Sequence, residues 1–277
     1  MRIEVQSDAD AAATAGAKFI AAQAREAVAA RGRFVMAVSG GHVPWQMFRI
    51  LVNEKIPWQD VHVVQVDERV APAGDQDRNL THLRESLLSQ VPLPSGQFHA
   101  MPVEENDLEA AAASYASLLR QIAGSPPVLD LVHLGLGPDG HTASLVPGDP
   151  VLDVTDRDVA VTGVYQERRR MTLTYPILNR ARCILWLVNG PEKAEIFQRL
   201  ASGDVSIPAG HIQRDTAVVL ADRAARATLA RRKRKKPHAH RNSSRSRRLS
   251  LERAIGRPTQ IRRPRGRGLR CSPVNAR

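Results

Sequence analysis

The chain has 277 residues, enough for one large or two small domains with a substantial core, and a formal net charge of +12. The charge is uneven, because residues 1–222 hold 20 Lys and Arg against 27 Asp and Glu, whereas residues 223–277 hold 20 Lys and Arg and one acidic residue. The basic excess therefore lies in the C-terminal segment, and net charge does not indicate that residues 1–222 bind nucleic acid.

Cysteine content and the N-terminus exclude further classes of protein. Only two cysteines are present, Cys183 and Cys271, which argues against a disulfide framework. No run of His, Cys, Asp and Glu has the spacing of metal ligands, so we predict no metal site. The N-terminus lacks the apolar segment of a signal peptide, and we expect a soluble cytoplasmic protein.

Strands and helices are predicted to alternate along residues 1–222. Short apolar runs predict strands, and Ala-rich or periodic segments predict helices. In chain order we expect a strand at 3–5, a helix at 8–30, a strand at 34–38, a helix at 44–52, a strand at 61–66, helices at 81–90 and 108–122, strands at 128–134, 159–164, 171–174 and 183–188, a helix at 191–200 and a strand at 216–220. This order predicts an α/β fold with a mainly parallel, doubly wound sheet and flanking helices.

The periodic pattern ends near residue 226, where the chain becomes rich in Arg, Ser, Pro and Gly. Such a composition cannot bury enough apolar surface to offset the entropy of ordering the chain. We therefore divide the chain into a folded domain, residues 1–222, and a disordered basic tail, residues 223–277. Residues 226–277 could bind nucleic acid or another polyanion. They could instead be a read-through or frame-shifted extension, and we favour this second interpretation.

The most informative segment is the Gly-rich turn at residues 135–148, which follows a predicted buried strand and contains Asp139 and His141. In open α/β sheets ligands bind beyond the carboxyl ends of strands, so this turn predicts a reaction centre. Its G-x-G-x-x-G spacing also matches dinucleotide-binding loops. Pro138 and Pro147 leave no room for the long helix that such a loop requires, so we reject the nucleotide interpretation.

Five other segments place polar residues next to a predicted strand or at a helix start. Residues 39–41, Ser-Gly-Gly, join a strand to a helix, where backbone amides suit a phosphate, although an ordinary tight connection is the alternative. The charged residues 67–69 and 168–170 could equally be solvated loops, Asn79 could cap a helix, and Lys193 could be a solvated side chain. The remaining core and surface histidines have no partner at a suggestive spacing: His62, His82, His99 and His133.

Together these motifs resemble those of the 6-phosphogluconolactonase family, in the family's order and over almost all of residues 1–222. The matching residues are Ser39, Gly40, Gly41, Pro44, Asp67, Glu68, Arg69, Asn79, the turn at 135–148, Arg170, Thr172, Thr174, Gly190 and Lys193. The resemblance implies an α/β fold related to sugar-phosphate isomerases and deaminases. It also implies hydrolysis of 6-phospho-D-glucono-1,5-lactone to 6-phospho-D-gluconate in the oxidative pentose phosphate pathway, without a metal or organic cofactor.

The resemblance further implies a role for each site residue. His141 would be the general base that takes a proton from the attacking water, and Asp139 would orient its imidazole. The 6-phosphate would lie on the backbone of the Ser-Gly-Gly loop. The expected substrate-binding residues are Ser39, Gly40, Gly41, Asp67, Arg69, Asn79, Gly137, Arg170 and Lys193.

The sequence also departs from the family pattern and leaves alternatives open. His42 and Val43 stand where the family usually carries Ser or Thr hydroxyls, and Arg168 is an alternative to Arg170 as phosphate ligand. A glucosamine-6-phosphate deaminase or isomerase on the same fold is the rival enzyme, but it requires an acidic group soon after the histidine, and Asp149 is the first. A third hypothesis is an inactive core with a polyanion-binding tail. The sequence does not indicate an oligomeric state.

Overall fold

The computed structural model describes residues 1–226, so the predicted disorder of residues 227–277 lies outside this part. Residues 223–226, which the prediction places in the disordered tail, form a short helix in which Ala225 is buried. Strands and helices alternate along the chain, as predicted. They are β1 (Arg2–Gln6), α1 (Ala9–Arg31), β2 (Phe34–Val38), α2 (His42–Leu51), β3 (Val61–Gln65), β4 (Asp67–Arg69), α3 (Asn79–Leu83), β5 (Phe98–His99), α4 (Leu108–Ala123), β6 (Leu131–Leu134), β7 (Val159–Val161), β8 (Arg170–Leu173), α5 (Tyr175–Asn179), β9 (Ile184–Val188), α6 (Ala194–Ser202), β10 (Ala217–Asp222) and α7 (Arg223–Arg226).

Seven of the strands form one parallel sheet in the order β1-β10-β9-β6-β2-β3-β5. Every residue of β2, β6, β9 and β10 is buried, as expected for strands that are covered on both faces. The strand order reverses direction beside β6, where the chain crosses from one half of the sheet to the other. The predicted α/β fold with a mainly parallel, doubly wound sheet is therefore confirmed.

Alternate residues of each strand point into two separate cores, one on each face of this sheet. Met36 on β2 packs in the core that also holds the buried face of α1, while its neighbour Val35 packs in the core that holds α4. The same alternation separates Leu185 from Trp186 on β9. Within residues 1–226, no helix is both long and apolar enough to cross a membrane.

A small antiparallel sheet, β4-β8-β7, departs from the predicted arrangement. The runs predicted as strands at 159–164 and 171–174 are not part of the parallel sheet, because the short connection between β7 and β8 can close a hairpin but cannot hold a crossover helix. Residues 67–69 are also a strand here and not a loop.

A single residue, Val66, links the two sheets. Its amide donates to the carbonyl of Val38 at the end of β2, 3.0 Å away, and its carbonyl accepts from the amide of Leu173 on β8 at 2.8 Å. Because backbone hydrogen bonds to both sheets hold this residue, the direction in which β4 leaves β3 is fixed. The small sheet is thereby held over the carboxyl edge of the parallel sheet.

Candidate active site

Most of the predicted site residues line one cleft at the carboxyl edge of the parallel sheet. The loops after β2, β6 and β9 meet there with β4, β8 and the start of α3. The cleft has a volume of about 220 Å³, and its lining includes Ser39, Gly40, Asp67, Arg69, Asn79, Gly137, His141, Arg170 and Lys193. Gly41 lines an adjoining chamber, which shares Arg69, Asn79 and Arg170 with the cleft. The remaining predicted residue, Asp139, reaches the cleft through its contact with His141.

Asp139 and His141 form a hydrogen-bonded pair within the Gly-rich turn. Nδ1 of His141 lies 2.6 Å from Oδ1 of Asp139, and the backbone amide of His141 donates to the same oxygen at 3.1 Å. Burial alone would raise the pKa of Asp139, but the hydrogen bonds and charge of His141 bring that pKa below its usual value. Since Nδ1 faces an ionised carboxylate, it carries the ring proton, and Nε2 is left as a proton acceptor.

The Gly-rich turn lacks the helix that a dinucleotide-binding loop requires, in agreement with the prediction. The amide of Gly137 donates to the carbonyl of His141 at 2.8 Å, which closes the turn under the imidazole. A bridge between Thr142 and Leu145 follows, and no helix opens between residues 135 and 149. The turn therefore provides no helix N-terminus on which the phosphates of a dinucleotide could bind.

Asp67 and Asn79 belong to a continuous hydrogen-bond network on β4 and α3. The hydroxyl of Ser144 donates to Oδ2 of Asp67 at 2.6 Å, and Nδ2 of Asn79 donates to the backbone carbonyl of Asp67 at 3.0 Å. The guanidinium of Arg69 donates to the side-chain oxygen of Asn79. Asn79 is thus the first residue of α3 and not its side-chain cap, and its amide orients two other site residues.

Glu68 is not among the predicted site residues, but its carboxylate holds the backbone of this network. Its side chain is fully buried, and its two oxygens accept four hydrogen bonds of 2.8 Å, from the amides of Arg69, Asn79 and Leu80 and from the side chain of Gln65. The alternation of β4 explains this burial, because Asp67 and Arg69 face one side and Glu68 the other. The pattern Asp-Glu-Arg on a strand could have indicated a buried middle residue.

Three cations on the cleft have no carboxylate partner within 4 Å among the described residues, namely Arg69, Arg170 and Lys193. Burial, and then the charge of Arg69, lower the pKa of the Arg170 guanidinium. The ammonium of Lys193 donates to the carbonyl of Leu136 at 2.8 Å, within the Gly-rich turn. Because three cations lie on the cleft without a direct ion pair among the described residues, the cleft favours an anionic ligand.

Arg168, the predicted alternative to Arg170, has a different environment. Its guanidinium binds the carboxylate of Asp75 at 3.1 Å and that of Asp77 at 2.9 Å. Arg168 lines only the adjoining chamber, whereas Arg170 lines both the chamber and the cleft. The geometry therefore favours Arg170 for an anion bound in the cleft.

The loop at residues 39–41 lies at the start of α2, as the sequence predicts. Gly40 passes close to Asn79, because a Cβ atom at position 40 would lie 2.0 Å from Oδ1 of that side chain. No side chain caps the first amides of α2, so its N-terminus offers donors and a positive dipole end. His42, the departure from the family pattern, is exposed at the first position of this helix.

The backbone of Ser39 is held by His133, for which the sequence predicts no role in the site. His133 is fully buried on β6, and its Nδ1 accepts a hydrogen bond of 3.3 Å from the amide of Ser39. Its Nε2 has no hydrogen-bond partner among the described residues. Burial lowers the pKa of this imidazole to about 4. The ring is therefore neutral at pH 7 and supports the loop at residues 39–41 without carrying charge.

We expect His133 to make the protein less stable as the pH falls. The unfolded imidazole binds a proton near pH 6.5 and the folded one only near 4, so the unfolding free energy falls as the pH decreases between these values. The expected loss is about 2 kcal/mol between pH 7 and 5. Urea unfolding across this range measures it, with His133→Asn as a matched variant that keeps an acceptor but cannot titrate. Equal pH slopes in the two proteins would contradict the prediction.

One further contact was not predicted from the sequence. The hydroxyl of Tyr165, in the hairpin between β7 and β8, donates to Oδ2 of Asp139 at 3.2 Å. Tyr165 is 26 residues from Asp139, and the exposed residues around it show no pattern that would point to the site.

Comparison with known proteins identifies the family of the chain. The family model described as glucosamine-6-phosphate isomerases/6-phosphogluconolactonase matches residues 7–220. A 6-phosphogluconolactonase from Mycobacterium tuberculosis is 38% identical over 241 residues, which are 82% of this chain and 98% of the relative. One from Synechocystis is 39% identical over 180 residues, 62% of this chain and 75% of the relative.

A solved structure gives the same result for the fold. The 6-phosphogluconolactonase from Shewanella baltica superposes with a TM-score of 0.70 at 30% identity, over 80% of this chain and 97% of that one. The matched region contains the cleft and every predicted site residue. The chain therefore belongs to the family of glucosamine-6-phosphate isomerases and 6-phosphogluconolactonases.

Proposed function

We propose that the protein hydrolyses 6-phospho-D-glucono-1,5-lactone to 6-phospho-D-gluconate, the second step of the oxidative pentose phosphate pathway. The observation that carries this proposal is the position of the Asp139–His141 pair on the same cleft as three cations without carboxylate partners. The pair supplies a general base, and the cations suit a phosphate. Relatives that are 38% and 39% identical to this chain are named 6-phosphogluconolactonase, which supports the assignment.

In the proposed reaction, Nε2 of His141 takes a proton from a water molecule as its oxygen attacks the lactone carbonyl carbon. The carbonyl π bond opens, and a tetrahedral oxyanion forms. When the oxyanion collapses, the bond from that carbon to the ring oxygen breaks, and the proton on Nε2 passes to the departing oxygen. The products are a carboxylic acid and an alcohol on one open chain. Asp139 stabilises the imidazolium that exists between the two proton transfers.

The phosphate is proposed to bind where the free donors converge. The amides of Gly40 and Gly41 lie at the N-terminus of α2, and Arg170 and Lys193 supply positive charge. Arg69, Asn79 and Asp67 would line the sugar. Because the phosphate does not react, its binding energy serves to place the lactone carbonyl beside His141.

Deaminase or isomerase activity is the rival within the family, and the geometry gives it less support. That chemistry needs an acidic group close after the histidine, and the first acidic residue is Asp149. One oxygen of Asp149 accepts from the amide of Val151 and the other from the amide of Gly163, each at 2.9 Å. Asp149 does not line the cleft. Its carboxylate is thus used to hold the following turn.

The purified protein tests the proposal directly. We expect it to hydrolyse freshly generated 6-phosphogluconolactone faster than the uncatalysed reaction and to release no ammonia from glucosamine 6-phosphate. No acceleration of lactone hydrolysis would refute the function, and ammonia release would favour the rival. The cytoplasmic location expected from the sequence stays a prediction.

We further propose that the tail takes no part in the hydrolysis. Every candidate site residue lies within residues 1–226, and a relative that is matched over 98% of its length covers 82% of this chain. A protein that ends after Arg226 keeps α7, in which Ala225 is buried, and is expected to have unchanged kcat and KM. A lower kcat in this truncated protein would contradict the prediction.

The two hypotheses for the tail are separated by a binding measurement on the same pair of proteins. If residues 226–277 form a polyanion-binding arm, the full chain binds duplex DNA in low salt, loses that binding steeply as salt rises, and the truncated protein does not bind. If the segment is an extension without function, the two proteins behave alike.

A further inference from the structure

We infer that Tyr165 is a positioning residue of the active site, which holds the Asp139–His141 pair and Arg170 in one arrangement. This inference rests on the proposed function. Three side chains of the site meet on the Tyr165 side chain. Its hydroxyl donates to Oδ2 of Asp139, its ring lies edge-on to the His141 imidazole with the ring centres 5.6 Å apart, and the Arg170 guanidinium lies 5.0 Å over its face.

The hydroxyl completes the hydrogen bonding of the Asp139 carboxylate. Oδ1 accepts from the ring and the backbone amide of His141, and Oδ2 accepts from Tyr165. A carboxylate that is held at both oxygens cannot rotate without breaking a hydrogen bond. The orientation of Asp139 fixes Nδ1 of His141 as the protonated nitrogen, so Tyr165 acts on the base through Asp139.

Tyr165 itself does not supply the proton. Burial, followed by the negative charge of Asp139, raises the pKa of its phenol above the ordinary value. The phenol therefore stays protonated at neutral pH and donates a hydrogen bond to the carboxylate. The hydroxyl acts on the base only through Asp139, which distinguishes positioning from acid catalysis.

The aromatic ring of Tyr165 also positions Arg170 in the proposed anion site. The face of an aromatic ring attracts a cation, and Arg170 stacks on it while its terminal nitrogen donates to the side chain of Gln166 at 3.1 Å. The guanidinium is largely buried and has no carboxylate partner among the described residues. Tyr165 thus links the orientation of the base to the position of the phosphate-binding cation.

The hairpin that carries Tyr165 is built in a way that argues for a functional reason. Backbone hydrogen bonds between Tyr165 and Arg168 close a two-residue turn, and both central residues have positive φ, +50° at Gln166 and +65° at Glu167. Glycine or asparagine usually occupies such positions, so the turn is strained. Its neighbours Val164, Gln166 and Glu167 are exposed, whereas Tyr165 turns inward to the site.

Two substitutions of Tyr165 separate a positioning role of this residue from a role in packing alone. Tyr165→Phe keeps the ring beside His141 and under Arg170 and removes only the hydroxyl. We expect kcat to fall about 3- to 10-fold with little change in KM, because a single hydrogen bond to a charged group is lost. Tyr165→Ala removes the ring as well and is expected to raise KM in addition. Val164→Ala, in the same hairpin but exposed, serves as the matched control and leaves both constants unchanged.

A spectroscopic measurement tests the inference independently of turnover. In the unaltered full-length protein we expect ring ¹⁵N shifts of His141 typical of a protonated Nδ1, with slow exchange of that proton. In Tyr165→Phe we expect a mixture of tautomers and faster exchange. Unaltered ¹⁵N shifts and exchange in Tyr165→Phe would overturn the inference, whatever the kinetics. If the protein does not hydrolyse the lactone at all, the proposed function fails, and the NMR result still decides on Tyr165.

Discussion

Replacement of His141 by alanine is expected to lower kcat for lactone hydrolysis by about 10²–10⁴-fold, the range typical of a lost general base. Among residues 1–226, His141 is the one imidazole on the cleft lining, and its Nδ1 lies 2.6 Å from Oδ1 of Asp139. Without the imidazole, water must attack the carbonyl without transferring its proton to a positioned acceptor. The residues proposed to bind the phosphate are untouched, so KM should change much less than kcat.

The measurement is turnover of fresh lactone, corrected for its uncatalysed hydrolysis. His211→Ala is the matched control, because His211 is an exposed imidazole beside Tyr175 and lies away from the cleft. The melting temperature of both variants should stay close to that of the parent protein, since His141 is partly exposed and His211 is exposed. Turnover by His141→Ala within a few-fold of the parent would refute the mechanism.

The sequence predicts the parts of this site that depend on the parallel sheet. Strands of a parallel sheet end at the same edge, so the Ser-Gly-Gly loop after β2 and the Gly-rich turn after β6 are expected to meet there. The Asp139–His141 pair is predictable for a local reason, since the two residues are separated only by a glycine in one turn. The first contact follows from the topology of the parallel sheet, and the second follows from the short separation of the two residues in the chain.

The contacts that the sequence does not predict join elements through side chains distant in the chain. Tyr165 meets Asp139 across 26 residues and Ser144 meets Asp67 across 77. Glu68 is buried by the small antiparallel sheet, which the alternation of strands and helices gives no reason to expect. Tyr165 and Glu68 lie in exposed or charged segments, where hydrophobic periodicity carries no information. Their function depends on how the small sheet is placed over the large one.

A second prediction concerns Gly137, where a single methyl group is expected to cost about 10²-fold in kcat, the effect of misplacing a catalytic group by about 1 Å. A Cβ atom at this position would lie 2.2 Å from Nδ1 and 2.3 Å from Cε1 of His141. Such contacts are impossible, so in Gly137→Ala the imidazole must move away from Asp139. The fold should be retained, because φ at Gly137 is not in the left-handed region and the imidazole can swing toward the open cleft.

The same turn supplies the matched control. A Cβ atom at Gly135 would meet nothing closer than Oγ of Ser39 at 3.7 Å, an ordinary contact, so Gly135→Ala is expected to keep kcat within a few-fold of the parent value. Equal activity of the two alanine variants would contradict the prediction. The double variant Gly137→Ala/His141→Ala then shows how the loss arises. If the methyl group acts only by displacing the imidazole, the double variant has the same kcat as His141→Ala, because a base that is absent cannot be displaced.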